Sequence, residues 1–328
     1  MIRPRVTLAM PVHNGANYVE AAIHSILAQT YCDFELIITD NCSNDATEAI
    51  CRRLASADPR IRYYRNAVNL GASRNYNLGF SYAQGEFLKW CAHDDLISPT
   101  FLERCVEVLN ERANVSLVFA RTLCIDENGE PWSGHDHGMR EMPSLDGDDP
   151  IRRFRDSIVL AGTCFPIFGL FRMECLKRST LHRSYYGSDR ALIAEAALLG
   201  KIVQAPPDAI FYNREHRLRS INIKDYVART RWQSTSAGRW ASMEHINLML
   251  NLLEVAWRHP EVANRPAALW ALARVALTPL QLARYGLDLV KFITPGGAIR
   301  LRHAVYDVLD VIGKPAVSPE LRGREHRS

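Results

Sequence analysis

No glycine-rich phosphate loop occurs in this sequence. GxGxxG does not follow the first apolar run and GxxxxGK[ST] is missing altogether, which excludes the dinucleotide fingerprint and the P-loop as phosphate holders. The eight cysteines form no CxxC pair and join no His/Cys cluster at zinc spacing, so they read mostly as small core residues. The opening residues, MIRPRVTLAMPVHN, lack a long apolar stretch before a small-residue cleavage site, and the expectation is a cytoplasmic protein in a reducing compartment. No uncharged apolar run has the length of a membrane span. Charge of one sign is lacking too: the net charge is only +4 and the first half carries no basic stripe, so nucleic acid is not an expected partner.

What is present is the composition of a globular protein, 47% hydrophobic and 23% charged over 328 residues. That length supports a large α/β domain with an appendage, or two domains. The first third repeats one theme, a short apolar run, a turn and an amphipathic segment. The runs are VTLAM (6–10), FELIIT (34–39), IRYY (61–64) and EFLKW (86–90), and between them lie stretches such as NYVEAAIHSILAQ with apolar residues at helical spacing. Alternation of this kind predicts an α/β fold with a mainly parallel central sheet and helices on both faces. Such sheets bind ligands at the carboxyl ends of their strands.

Polar clusters stand at those ends. Pro11-Val12-His13-Asn14-Gly15 follows the first run, Asp40-Asn41-Cys42-Ser43-Asn44-Asp45 the second, and His93-Asp94-Asp95 the fourth. Ser43 and Asp45 read as N-caps for the helix beginning ATEAICRRLA. Asp40 falls at the strand end itself, where a carboxylate can accept from a ribose or a base. Asp94 and Asp95 repel each other and hydrate strongly, and so cost stability after a buried strand unless something meets them. As hard oxygen donors they suit Mg²⁺ or Mn²⁺, which would neutralise a diphosphate without a glycine loop. Ser98 reads as the cap of the helix that follows.

Two stretches carry a resemblance: VTLAMPVHNGANYVEAAIHSILAQTYCDFELIITDNCSNDAT, then NLGASRNYNLGFSYAQGEFLKWCAHDD. Over residues 5 to about 125, and more weakly to about 222, the chain resembles the family 2 glycosyltransferases, the inverting group with the GT-A (Rossmann-like) fold. The resemblance implies that Pro11 and His13 pack on the nucleotide base, Asp40 reads base or ribose, and Arg74 lies near the diphosphate. It implies that Asp94 touches the ribose and that Asp95 binds the divalent metal, Mn²⁺ or Mg²⁺. His93 stands where the family's fuller DXD motif has its first Asp. Asp189 in YYGSDRALIAEAALLGKIV resembles the family's late acidic motif, which supplies the catalytic base, with Glu195 as the alternate. Read without the family, Asp189 is a good N-cap. In FYNREHRLRSIN, His216 resembles a metal or phosphate contact and Arg214, Arg217 and Arg219 suit an anionic phosphate; a lone histidine in such a cluster also reads as a solvated surface residue.

Residues 126–157 show little periodicity and read as a loop over the active site or acceptor cleft; His135 and His137 within it receive no role. Beyond 224 the pattern is helical, with Trp232, Trp240, Trp257 and Trp270 among basic residues. These helices read as a surface for an anionic membrane or as faces that pack together or form a homodimer. The organisation expected is a catalytic domain at 1–222 with acceptor-side elements from about 126, helices at 223–316 and a disordered tail at 317–328. The function expected is a metal-dependent inverting transferase moving sugar from a UDP- or dTDP-sugar to a saccharide or lipid-linked saccharide in surface polysaccharide or glycan biosynthesis. The rival readings are an idle nucleotide-sugar-binding module and a sugar nucleotidyltransferase; the second lacks a glycine-rich loop with Arg and Lys after the first strand.

Overall fold

The computed structural model describes residues 3–132, 142–160, 164–223 and 225–293. Its first half alternates as the periodicity predicts: β1 (Val6–Val12), α1 (Val19–Leu27), β2 (Phe34–Asp40), α2 (Thr47–Ala57), β3 (Ile61–Arg65), α3 (Ala72–Tyr82) and β4 (Phe87–Trp90). There follow β5 (Leu96–Ile97), α4 (Phe101–Glu111), β6 (Val115–Phe119), β7 (Arg121–Ile125) and α5 (Pro150–Leu160). After them come β8 (Leu170–Arg172), α6 (Met173–Arg178), α7 (Ser188–Leu199), β9 (Lys201–Gln204) and β10 (Ile210–Arg214). Four helices end the described chain: α8 (Tyr226–Gln233), α9 (Glu244–Arg258), α10 (Arg265–Ala276) and α11 (Pro279–Ile293).

The main sheet runs β3-β2-β1-β4-β8-β6-β9, parallel from β3 to β4 and antiparallel where β8 inserts between β4 and β6. All seven residues of β1 and of β2 are buried, which is why these strands read as continuous apolar runs and not as alternating ones. Each large aliphatic side chain buried there, Leu8 or Ile37 for example, contributes about 2 kcal/mol. Helix α3 lies so close to the sheet that a Cβ on Gly79 would stand 2.9 Å from Cβ of Ala9. The order 3-2-1-4 reverses direction between β1 and β4, and the crevice beyond their carboxyl ends is the topological switch point of an open sheet.

A second sheet, β5-β10-β7, lies against the chain just beyond β4, where Arg214 and His216 bond to Asp95 and Asp94. Ile97 pairs with Phe211 and Leu96 with Tyr212, and the same register carries Arg214 and His216 past Asp95 and Asp94. The loop expected over 126–157 is corrected in its last part: residues 150–157 belong to α5, whose Phe154 and Ser157 face inward. His135, His137 and the tail at 317–328 lie outside the described residues.

Helix α7 is buried on nearly every side. Leu192, Ile193, Ala196 and Ala197 pack on the main sheet, while Ala191, Ala194 and Leu198 join Phe154 of α5 and Leu252, Val255, Ala268 and Leu272 of α9 and α10. Arg153 donates to the carbonyls of Ala197 (2.9 Å) and Gly200 (3.0 Å), covering the helix's otherwise unpaired C-terminal acceptors. Glu195, read as the alternate base, is fully buried in this packing. It accepts from Thr180 N (2.6 Å) and Thr180 Oγ1 (3.0 Å) and pairs with His259 Nε2 (2.8 Å). A carboxylate so enclosed reaches no acceptor hydroxyl, and its work is to fasten α7 to the segment between α9 and α10.

Glu195→Ala strands a buried imidazole and a buried amide. We expect a loss of about 3 kcal/mol of unfolding free energy, read as a lower urea midpoint with unchanged slope.

Candidate active site

The loop after β1 is held by the loop after β2. Asn14 N donates to Ser43 Oγ (2.9 Å), Gly15 N to Thr47 Oγ1 (2.8 Å), Ala16 N to Asp45 Oδ2 (3.1 Å), and Asn44 N to Asn14 Oδ1 (2.9 Å). This corrects the capping roles. Ala46 occupies the N-cap of α2 without a side-chain bond, Ser43 serves the neighbouring loop, and Asp45 divides itself between that loop and Thr47 N. Asn14 (φ 54°) and Cys42 (φ 63°) turn through the left-handed region to make the stitching possible. A Cβ on Gly15 would meet His93 Cδ2 at 2.5 Å, so this glycine lets the His93 ring lie against the β1 loop.

Pro11 is buried within β1, and His13 stands exposed at the rim with Nε2 3.3 Å from Asn69 Nδ2. Asp40 has no exposed surface. It accepts from Ser43 N (2.8 Å), Tyr63 Oη (2.6 Å) and Arg65 Nη1 (3.0 Å), which fills three of the roughly four acceptor positions of a carboxylate. Arg74 is exposed in the first turn of α3. The α3 residue that lies within electrostatic reach of Asp94, Asp95 and Asp189 together is Tyr76, its hydroxyl raised well above its usual range by burial and then by those three carboxylates. Nothing local in the sequence marks Tyr76, because a tyrosine on an amphipathic helix looks like core.

Asp94 and Asp95 meet β10. His216 Nε2 lies 2.7 Å from Asp94 Oδ2 with little of either side chain exposed, so the reading of His216 as a solvated surface residue is corrected. Arg214 N donates to Asp95 Oδ1 (2.8 Å), and the Arg214 guanidinium donates to the carbonyls of Asp94 (2.9 Å), Asp126 (3.0 Å) and Glu127 (2.9 Å). Arg219 pairs with Glu215 and Asn213. The arginine cluster expected for phosphate is therefore divided: Arg214 and Arg219 are engaged within the protein, and Arg217 is the exposed member. Ser98 is no cap either. Its hydroxyl bridges Asp208 O and Ile210 N, while Leu102 N of α4 bonds to Gln29 Oε1 from the end of α1.

The two carboxylates titrate in opposite directions. Burial alone would raise both, but His93 nearby and the hydrogen bond from His216 hold Asp94 down at about 2. Asp95 is pushed well above its usual range by burial and by the charge on Asp94. Beneath them Lys89 is buried in β4. Its ammonium donates to Phe168 O and to Trp90 O (3.4 Å) and lies over the Phe101 (4.6 Å) and Phe211 (5.3 Å) rings.

Among the described residues, no three His, Cys, Asp or Glu side chains converge as a ready-made metal cage. The donor set still fits a hard divalent ion: two carboxylates, one reluctant to ionise beside the other, and an imidazole already turned toward them.

Asp189 is the second residue of α7, after Gly187 at the N-cap (φ 88°). Its own N-cap reading is thereby corrected; Oδ1 accepts from the next amide, Arg190 N, at 3.0 Å. Burial raises this carboxyl above its usual range, against the opposing pull of Arg190 and of hydrogen bonds from Arg190 N and the Cys164 thiol. Cys164 is a further left-handed residue (φ 57°) at the site, with a thiol pushed up to about 12. Next to Tyr76 lies an aromatic cluster in which His182 packs against Trp90 (4.8 Å) and Tyr76 (4.9 Å). Its Nε2 has no hydrogen-bond partner among the described residues.

Residues 7–177, just over half of the chain, match the family profile described as Glycosyl transferase family 2. The chain is 26% identical over 190 residues, 58% of each chain, to the GalNAc(5)-diNAcBac-PP-undecaprenol beta-1,3-glucosyltransferase of Campylobacter jejuni. It spans between 18% and 35% of the length of the first curated relatives it matches, all uncharacterized Rickettsia glycosyltransferases. Among solved structures, residues 1–349 of S. aureus TarS with UDP-GlcNAc superpose at a TM-score of 0.57 and 14% identity, over 88% of this chain and 80% of that one. The mannosyltransferase PcManGT of Pyrobaculum calidifontis, in complex with GDP-Man and Mn²⁺, superposes at 0.52 and 18% identity, over 90% and 89%. These two likenesses are of fold, and the fold is GT-A with a helical C-terminal region.

His182 carries a pH prediction. Burial pushes its pKa from the ordinary 6.5 down to about 4, so the unfolded chain binds this proton more readily than the folded one. The stability contribution is complete above about pH 6.5 and is lost as pH falls toward 4. His182→Gln removes that slope: between pH 7 and pH 5 the native protein should lose about 2 kcal/mol more than the variant, measured by urea unfolding at both pH values.

Proposed function

The chain belongs to glycosyl transferase family 2, and from that premise we propose that it transfers a sugar from a nucleoside diphosphate sugar, UDP- or dTDP-linked, to a hydroxyl of a saccharide or lipid-linked saccharide, with inversion. The observation that carries this reading is that a strand-end carboxylate pair with His216 and a base-type carboxylate of raised pKa at the start of α7 all lie within electrostatic reach of one buried tyrosine, Tyr76. The Campylobacter relative's undecaprenol-linked acceptor supports the lipid-linked class and a role in glycan assembly.

His13 stands on the base side of the crevice, with the buried Pro11 and Asp40 behind it, and Asp94 meets the ribose. Arg74 and Arg217 are the exposed cations offered to the diphosphate. Asp95, with Asp94 and His216 beside it, would hold Mn²⁺ or Mg²⁺, whose charge, when bound, offsets that of the leaving nucleoside diphosphate. Asp189 accepts the acceptor's hydroxyl proton as its oxygen bonds to the anomeric carbon; the bond from that carbon to the diphosphate oxygen breaks, and the electron pair leaves with the nucleotide. A raised pKa suits this task, because a carboxylate that ionises less readily is a stronger base. We place the reaction in the cytoplasm.

Asp189→Asn should lower kcat roughly 10²- to 10⁴-fold while the Kd for UDP, measured by calorimetry, stays within about twofold, because the base touches the acceptor and not the nucleotide. Retained transfer would remove Asp189 from the role, and full nucleotide binding without turnover in the native protein would favour the idle module. Asp95→Ala should weaken UDP or dTDP binding and abolish the difference between titrations with and without Mn²⁺.

A further inference from the structure

The C-terminal helices face outward in a way that packing among the described residues does not explain. Each has an apolar inner face, such as Leu252 and Val255 of α9, Ala268 and Leu272 of α10 and Leu287 of α11. Each also has an apolar outer one: Leu250, Leu253 and Trp257 recur on α9 at i, i+3 and i+7, Trp270 lies on α10 with Leu277 at its C-cap, and Leu282, Leu289 and Ile293 recur on α11 at i, i+7 and i+11. Trp257 is 58% exposed, Trp270 and Leu277 69%, Trp240 55% and Ile293 71%. The outer face of a solvated helix should be charged and polar.

The outer tryptophans have arginine companions. Arg265 lies over the Trp257 ring at 4.6 Å. Arg239 precedes Trp240 and lies over Phe292, whose ring meets Trp240 at 6.0 Å. Arg274 follows Trp270 by one helical turn and Arg231 precedes Trp232, and all four of these residues are exposed. The acidic residues of α8–α11 and their connections are already paired: Glu244 with Arg229, Glu254 with Arg183, Glu261 with Arg178, and Asp288 with Lys291 and His245. The surface offers indole, leucine and guanidinium, with its carboxylates neutralised from within.

We propose that this face of α9–α11, with the segment around Trp240, docks on an anionic lipid bilayer. Tryptophan settles at the level of the headgroups, leucine and isoleucine enter the acyl boundary, and arginine meets anionic headgroups. A second copy of the chain is the poorer occupant, because a two-fold contact sets the patch against itself and brings arginine to arginine, with the carboxylates of the described helices already paired. The described helices do not span the bilayer: none is long and apolar enough to cross it.

The test is co-sedimentation of the full chain with vesicles of phosphatidylcholine alone and of phosphatidylcholine mixed with phosphatidylglycerol, with light scattering for its mass in solution. The chain should bind the anionic vesicles and scarcely the neutral ones. The double variants Trp270→Ser with Leu277→Ser, and Arg239→Glu with Arg274→Glu, should each lower partitioning by about tenfold or more. All four positions are exposed, and circular dichroism verifies that the variants fold. The proposal is overturned if the full chain ignores anionic vesicles, if binding survives the Trp/Leu variant, or if the chain is a stable dimer that the same variant dissociates. Because vesicle binding needs no turnover, its failure is distinguishable from failure of the proposed transfer activity.

Discussion

Two adjacent carboxylates at the end of a buried strand are the constraint around which the molecule is arranged. Asp94 and Asp95 cannot both ionise freely in that position, and each draws a different device from the end of β10: an imidazole just past the strand for Asp94 and a backbone amide of its last residue for Asp95. The small sheet exists at the place where these devices are needed. Its register brings residues about 120 positions downstream to the strand end, and Arg214, bound to three backbone carbonyls, fastens the loop after β7 to the same point. A cation and a nucleotide entering there would meet a framework already folded around the charge.

Helix α7 answers a different demand, to place one carboxylate precisely while being packed from both sides. Its alanines suit the task, since alanine combines the highest helix propensity with the least bulk and lets the sheet on one face and α5, α9 and α10 on the other approach closely. Arg153 covers one end, and the glycine at the other end takes the left-handed turn that brings Asp189 to the helix start. Glu195 and His259 then pin the helix midway. Asp189 thus owes its position partly to the helices beyond the sheet.

Local signals were legible and distant partners were not. The strands β1 to β4 and the helices between them follow from apolar runs and helical spacing, which each segment carries in itself. The carboxylates at the strand ends were legible for the same reason. Misreadings arose where a side chain's partner lies far along the chain. Ser43 and Asp45 have the chemistry of caps but serve residues 14–16, and Glu195 has the chemistry of a base but meets a histidine 64 residues later. Helix α5 was missed because a polar stretch with glycines precedes it, although Ile151, Phe154 and Ile158 stand at helical spacing. Tyr76, His182 and Lys89 carry no local mark, since tyrosine, histidine and lysine beside apolar residues read as core or surface until their neighbours, the carboxylates near Tyr76 and Lys89 and the rings against His182, are placed in space.

The placement of α7 joins the two proposals mechanically. The helix that presents Asp189 shares one apolar core with α9 and α10, while the indoles and leucines on the far side of those helices face solvent. A packed core transmits position because its side chains have little room to yield. A bilayer against the outer face would therefore fix the cleft's distance and tilt relative to the lipid headgroups. For an acceptor hydroxyl on a lipid-linked saccharide, that geometry replaces a search through bulk solution with one confined to a surface, lowering the entropic cost of bringing hydroxyl, base and anomeric carbon together.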